Sequence, residues 1–245
     1  MTDDKEDIKL NFQHGLPLLL LPGMMCDARL FQPQINALSG RLPLVTAPIG
    51  GHDSMQALAA EILNYAPPRF ALAGLSMGGI LAMEILRQAP DRVDRVALLD
   101  TNPRAELPEV QERRAPQIEA AKQGELSRIM RDEMKPNYLA DGPNMGAILD
   151  LCMTMATDLG PEVFVNQSIA LRDRPDQCET LRQFDGSALV LCGKEDRLCP
   201  IERHELMHEL LPNSRLQIID GAGHLPTLEQ PEITTAALIR WLEDT

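Results

Sequence analysis

Short apolar runs alternate along the chain with stretches in which apolar positions recur every three to four residues. The runs at 17–21, 42–47, 70–73, 93–99, 188–192 and 216–219 predict strands. A strand covered on both faces is apolar throughout rather than alternately apolar and polar. The intervening stretches predict helices, so the whole reads as an α/β fold with a doubly wound, mostly parallel sheet. Asp53 followed by Gln56 predicts a capping box opening a helix to about Tyr65, with Pro67 and Pro68 closing it. A helix starting at Ser76 or Met77 and stopping before Pro90 is apolar nearly all round, from Ile80 to Leu86, and is expected to be buried. Between 103 and 183 the alternation stops and helical patterns follow one another. This predicts an inserted helical cap, with 1–102 and 184–245 forming the core. Within it, 145–159 has helical spacing, and Gly160-Pro161 ends that helix and begins another.

Composition narrows the setting. The 245 residues fit one domain with a modest insertion. A formal net charge of -13 without a basic stripe repels phosphate backbones and argues against nucleic acid as a partner. No apolar run approaches the ~20 residues of a membrane span, and the acidic start, Met1 to Asp7, lacks the pattern of a signal peptide. A cytoplasmic location with no membrane partner is expected. Cys26, Cys152, Cys178, Cys192 and Cys199 are scattered without the spacing of a zinc site or a disulfide framework, so free thiols are expected.

The strongest chemical signal is Gly74-Leu75-Ser76-Met77-Gly78-Gly79, lying between a predicted strand and a predicted helix. A serine on so sharp a turn crowds the backbone, so small residues two positions to either side are required. Its hydroxyl then stands free above the sheet, where a bare glycine-rich helix cap would have no such placement. A hydroxyl is a poor nucleophile at neutral pH and needs a base, for which imidazole is suited. His224, in Gly221-Ala222-Gly223-His224-Leu225-Pro226 after the last predicted strand, can project over the carboxyl edge of the sheet. His14, His52, His204 and His208 read as solvated residues; the spacing of His204 and His208 matches a metal pair, but no metalloprotease glutamate accompanies it. The imidazole needs a carboxylate to orient it. Asp196, in the loop leaving strand 188–192, fits that role, and Asp100, ending strand 93–99, is its rival. An oxyanion hole needs two backbone donors: Met77 N–H follows the nucleophile, and Met24 N–H is expected from the loop Pro22-Gly23-Met24-Met25-Cys26-Asp27, where Gly23 would permit a close approach.

With these segments in place, the chain resembles the α/β-hydrolase superfamily over nearly its whole length, in particular small capped serine hydrolases of the pimeloyl-ester carboxylesterase and enol-lactonase type. The resemblance rests on 18–23, 74–79, 193–200 and 221–231. It implies a Ser76, Asp196, His224 triad acting without metal or cofactor. One departure is that Pro22-Gly23 stands where many relatives carry His-Gly. The expected reaction is cleavage of a small to medium carboxylic ester, thioester or lactone through an acyl-enzyme on Ser76. The alternatives are a lyase or a ligand-binding receptor on the same scaffold. Met24, Met25, Met77, Met130, Met134, Met145, Met153 and Met155 are expected around the pocket. Because cap and core both carry net negative charge, the acyl group is expected to be neutral, unless Arg113, Arg114 or Arg131 overrides the field locally.

Overall fold

The computed structural model describes residues 15–244; the acidic start and His14 lie outside them. All six expected strands form: β1 (Leu18–Leu21), β2 (Leu44–Thr46), β3 (Phe70–Leu75), β4 (Val93–Leu99), β5 (Ser187–Gly193) and β6 (Ser214–Ile219). They make one sheet in the order β2-β1-β3-β4-β5-β6, parallel throughout. Successive residues explain the continuous apolar runs. Leu18 and Leu20 pack into one hydrophobic cluster with Phe31, Leu238 and Trp241, whereas Leu19 and Leu21 pack into the other with Leu58, Leu81 and Met207. Helices α1 (Gln32–Leu38) and α10 (Pro231–Glu243) supply the first face; α2 (Met55–Tyr65), α3 (Met77–Gln88) and α8 (Ile201–Leu210) supply the second. The chain runs from β1 outward to β2 and then crosses to the other side of β1 for β3. The carboxyl ends of β1 and β3 therefore border the crevice where an open parallel sheet holds its ligands.

Two details of α2 and α3 differ from the sequence reading. The N-cap of α2 is Ser54, whose hydroxyl accepts from Ala57 N–H at 3.3 Å, one position beyond the expected Asp53. Within the buried α3, Glu84 is fully enclosed, bonded by Arg87, Gln88 and Gln177 Nε2 at 2.7 Å. Burial opposes its charge, but these donors outweigh that and hold the carboxyl below its ordinary value.

No strand lies between β4 and β5 among the described residues. The segment contains α4 (Pro108–Lys122), α5 (Leu126–Arg128) running into a π-wound turn (Ile129–Met134), α6 (Met145–Arg172) and α7 (Cys178–Gln183). At Gly160, φ 82° and ψ 174° interrupt α6, and Pro161 opens its second half, as the sequence predicts. Helices α4, α5 and α6 pack on one another, whereas α7 packs on α3 and α8. No helix among the described residues is long and apolar enough to cross a membrane. Short elements near the site include 3₁₀ turns at Ala28–Phe31 and Lys135–Asn137 and α9 (Pro226–Glu229).

Candidate active site

Ser76 occupies the turn between β3 and α3 with φ 54° and ψ -115°, a conformation costing an L-residue roughly 1–3 kcal/mol. The surroundings enforce it. Ser76 N–H donates to Leu99 O at 2.9 Å, and its carbonyl accepts from Gly79 N–H at 2.9 Å, Ile80 N–H at 3.1 Å and Thr101 Oγ1 at 2.7 Å. A Cβ added at Gly74 would strike the carbonyl of Gly78, and one at Gly78 would strike the carbonyl of Leu21. The glycine spacing is thus a consequence of backbone packed on backbone.

His224 sits in the loop between β6 and α9, and its ring Nδ1 lies 2.8 Å from Asp196 Oδ2 with both residues buried. A carboxylate only accepts, so Nδ1 carries a proton, and in the neutral ring Nε2 is the free acceptor. Asp196 Oδ1 accepts from Leu198 N–H at 2.8 Å and Cys199 N–H at 3.0 Å, which fixes the carboxylate in the turn after β5. Burial disfavours its charge, but attraction to the His224 ring and the hydrogen bonds from His224, Cys199 and Leu198 prevail and hold it below the ordinary carboxylate value. Asp100 faces the same neighbourhood without touching His224. Its Oδ1 accepts from Gly193 N–H at 2.9 Å, its Oδ2 is buried without a partner among the described residues, and burial together with the charge of Asp196 pushes its carboxyl well up. Of the two rivals, the geometry brings Asp196 to the imidazole.

Glu229 was not singled out in the sequence. It clamps the histidine loop on both sides, accepting from Gly223 N–H at 2.9 Å and Leu225 N–H at 2.9 Å, and it also takes Ala140 N–H at 2.8 Å. His224 N–H itself donates to Tyr138 O at 2.7 Å, and the Tyr138 ring stands 6.1 Å from the imidazole. The available signal was an acidic residue five positions after the histidine, on a short helix bounded by Pro226 and Pro231.

In the loop after β1, Met25 N–H is taken by Gln167 Oε1 at 2.8 Å and Cys26 N–H by Gly23 O at 3.1 Å. Met24 N–H and Met77 N–H have no acceptor among the described residues; Met24 lines the cavity beside Ser76, whereas Met77 is buried directly behind it. Gly23 is not needed for room: an added Cβ would meet nothing closer than 3.5 Å. The residue in left-handed geometry is instead Met25, at φ 55°.

Met24, Ser76 and His224 from the core border one cavity of about 540 Å³, which Val110, Met134 and Tyr138 from the helical segment also line. Of the eight methionines expected there, Met24 and Met134 line it. Met25, Met77, Met130 and Met155 are core, Met153 packs against the core, and Met145 is exposed. Nor does the lining share the negative balance of the chain: five arginines and two glutamates face the cavity, Arg113 and Arg114 among them but not Arg131. The charge argument for a neutral acyl group therefore does not hold at the site.

His204 is corrected by the structure. It is fully buried, with Nε2 accepting Thr101 N–H at 3.1 Å and Nδ1 facing Pro200 O at 3.3 Å, and burial lowers its pKa to about 4. The inward face of α8 needs an acceptor for the amide beyond β4, and imidazole supplies it. His208 and His52 remain at the surface, paired with Ser214 and Glu61. Asp196, Cys199 and His224 are the described residues whose donor atoms cluster closely enough for a metal. Two of them are spent on each other, and burial pushes the Cys199 thiol up, away from the thiolate a metal requires.

Comparison with known proteins gives a consistent picture. The sequence pattern described as "Alpha/beta hydrolase family" matches residues 18–237. A pimeloyl-[acyl-carrier protein] methyl ester esterase from Xanthomonas oryzae pv. oryzae is 27% identical, covering 94% of this chain and 96% of its own. One of the same description from Nitrosomonas europaea is 24% identical, covering 89% and 92%. Among solved structures, a thermophilic esterase from Thermogutta terrifontis, with malate bound, superposes with a TM-score of 0.84 at 29% identity, covering 93% of this chain and 89% of the other. The enol-lactonase from Burkholderia xenovorans LB400 has a TM-score of 0.83 at 20% identity, covering 94% and 92%, which speaks for the fold alone.

Proposed function

Because this chain belongs to the alpha/beta hydrolase family, whose pattern spans residues 18–237, we propose that it cleaves a small to medium carboxylic ester or lactone through an acyl-enzyme on Ser76. One observation carries the assignment of roles: a strained serine at the sheet's switch point borders the same cavity as a histidine bonded to Asp196 at 2.8 Å. In the proposed cycle, bare Nε2 of His224 takes the Ser76 proton as Oγ attacks the carbonyl carbon. Asp196 holds the imidazole in the required tautomer and stabilises its charged form. The developing oxyanion is received by Met24 and Met77 N–H, each donor contributing about 3 kcal/mol to transition-state stabilisation. His224 then returns the proton to the leaving oxygen, and a water activated in the same way releases the acid.

The named relatives are esterases, which supports ester over thioester as the scissile bond. Residues 103–183 are proposed to act as the cap, since they supply one wall of the cavity; α7 at their end serves instead as packing for the core. Ser76→Ala tests the proposal. We expect ester turnover to fall at least ~10³-fold in a protein that melts like wild type; unchanged turnover would refute the nucleophile.

A further inference from the structure

The charge of the cavity lining is opposite to that of the chain. Arg113, Arg114, Arg174, Arg197 and Arg203 face it, against Glu106 and Glu109, an excess of three positive charges within a protein of net charge -13. Two of the arginines, Arg174 buried and Arg114 largely so, share one partner. Arg174 Nη1 donates to Glu106 Oε1 at 2.6 Å, and Arg114 Nε donates to Glu106 Oε2. The side chains of Arg114, Glu106 and Arg174 are 13%, 5% and 7% exposed. One carboxylate answers two guanidinium groups, which leaves one desolvated positive charge uncompensated. Arg174 Nε is satisfied by Arg104 O at 3.0 Å, but its Nη2 and both terminal amino groups of Arg114 have no acceptor among the described residues. Those are the atoms with which a guanidinium grips a planar oxyanion in two parallel hydrogen bonds.

We infer that the substrate carries a carboxylate away from the scissile bond, held by the Arg114–Glu106–Arg174 group in the wall of the cavity that contains Ser76. This rests on the hydrolase reading of the same cavity and adds the substrate's class. Glu106 positions the two guanidinium groups and lowers the penalty of burying them, while the residual charge selects an anion. Arg113 and Arg197, exposed and without an acidic partner among the described residues, give an approaching carboxylate a local attraction that the overall field denies it. The burial of Arg174, which pulls its pKa down against the opposing charge of Glu106, is relieved when an anion binds.

The test uses two matched pairs of esters, each pair an acid and its primary amide. Monoethyl glutarate is set against ethyl 4-carbamoylbutanoate, which places the carboxylate on the acyl side. The butyryl ester of 3-hydroxypropanoate is set against that of its amide, which places it on the alcohol side. We expect kcat/KM to favour the acid at least ~10-fold in one pair, equivalent to about 1.4 kcal/mol, and that ratio to fall at least ~5-fold in both Arg114→Gln and Arg174→Gln. A ratio measured within one enzyme is insensitive to the fraction folded. Glutarate should also raise the melting temperature of wild type where glutaramide does not, which reads the site without turnover. Turnover of the amide esters without preference for the acids, or a preference unchanged in both variants, would overturn the inference and leave the hydrolase reading standing. Turnover of no ester would refute that reading instead, and the glutarate shift would still decide the anion site.

Discussion

At the scale of single residues, the partners of the site's polar atoms distinguish its two candidate acids. Asp196 divides its two oxygens between backbone and imidazole, whereas Asp100 has one oxygen without a donor among the described residues. Burial and the neighbouring Asp196 push the Asp100 carboxyl up, disfavouring its charged form, so the neutral, similarly shaped amide is a mild replacement. We therefore expect Asp196→Asn to lower kcat at least ~10²-fold, and Asp100→Asn to stay within about threefold of wild type; steady-state kinetics giving the reverse ranking would reassign the triad acid. His204 makes the second prediction. Its folded-state pKa of about 4 lies below the unfolded value near 6.5, so the unfolded chain binds more protons between the two. The neutral ring's contribution is complete above pH 6.5 and is lost as pH falls toward 4, by about 3 kcal/mol over that window. Urea unfolding across this range should show a shallower decline for His204→Gln than for wild type, and parallel declines would exclude the assignment. The environments of Asp100 and His204 were not legible in the sequence. Spacing placed both histidines of α8 on one face, but not which of the two turns inward to meet the Thr101 amide.

At the scale of elements, glycines and prolines fix where chains turn, and those positions were legible. Gly74 and Gly78 announced a backbone collision that only glycine avoids, and Gly160-Pro161 announced a break that α6 contains. The φ and ψ of Gly160 lie in a region essentially reserved for glycine. Gly160→Ala should therefore cost about 1–3 kcal/mol in urea unfolding, without the loss of core packing that a cavity mutant shows; a variant as stable as wild type would mean that α6 straightens without penalty. The strand cores were also legible, because burial on both faces leaves a continuous apolar run, and their ends shifted by one or two residues at most. What the pattern could not supply was Glu229, whose three backbone contacts come from two loops distant in sequence, or the Glu84 cluster inside an otherwise apolar helix.

At the scale of the whole molecule, the parallel sheet brings together groups that lie far apart in the chain. The turn after β1 supplies Met24, that after β3 Ser76, that after β5 Asp196, and that after β6 His224, all at the carboxyl edge. This could be foreseen from motif order, since each motif follows an apolar run. The cavity's charge could not, because its arginines come from α4, the turn after α6, the loop before α8 and α8 itself, and composition averages them into a chain of net charge -13. The central claim is that these separated turns act together, with Ser76 made nucleophilic by His224. Its most direct measurement is mass spectrometry of the intact and digested protein after reaction with diethyl 4-nitrophenyl phosphate, which stalls a serine hydrolase as a stable phosphoryl enzyme. The account predicts one adduct, on the peptide containing Ser76, absent from Ser76→Ala and formed at least ~10²-fold more slowly in His224→Ala. An adduct on another residue, or continued ester turnover by protein phosphorylated at Ser76, would contradict it.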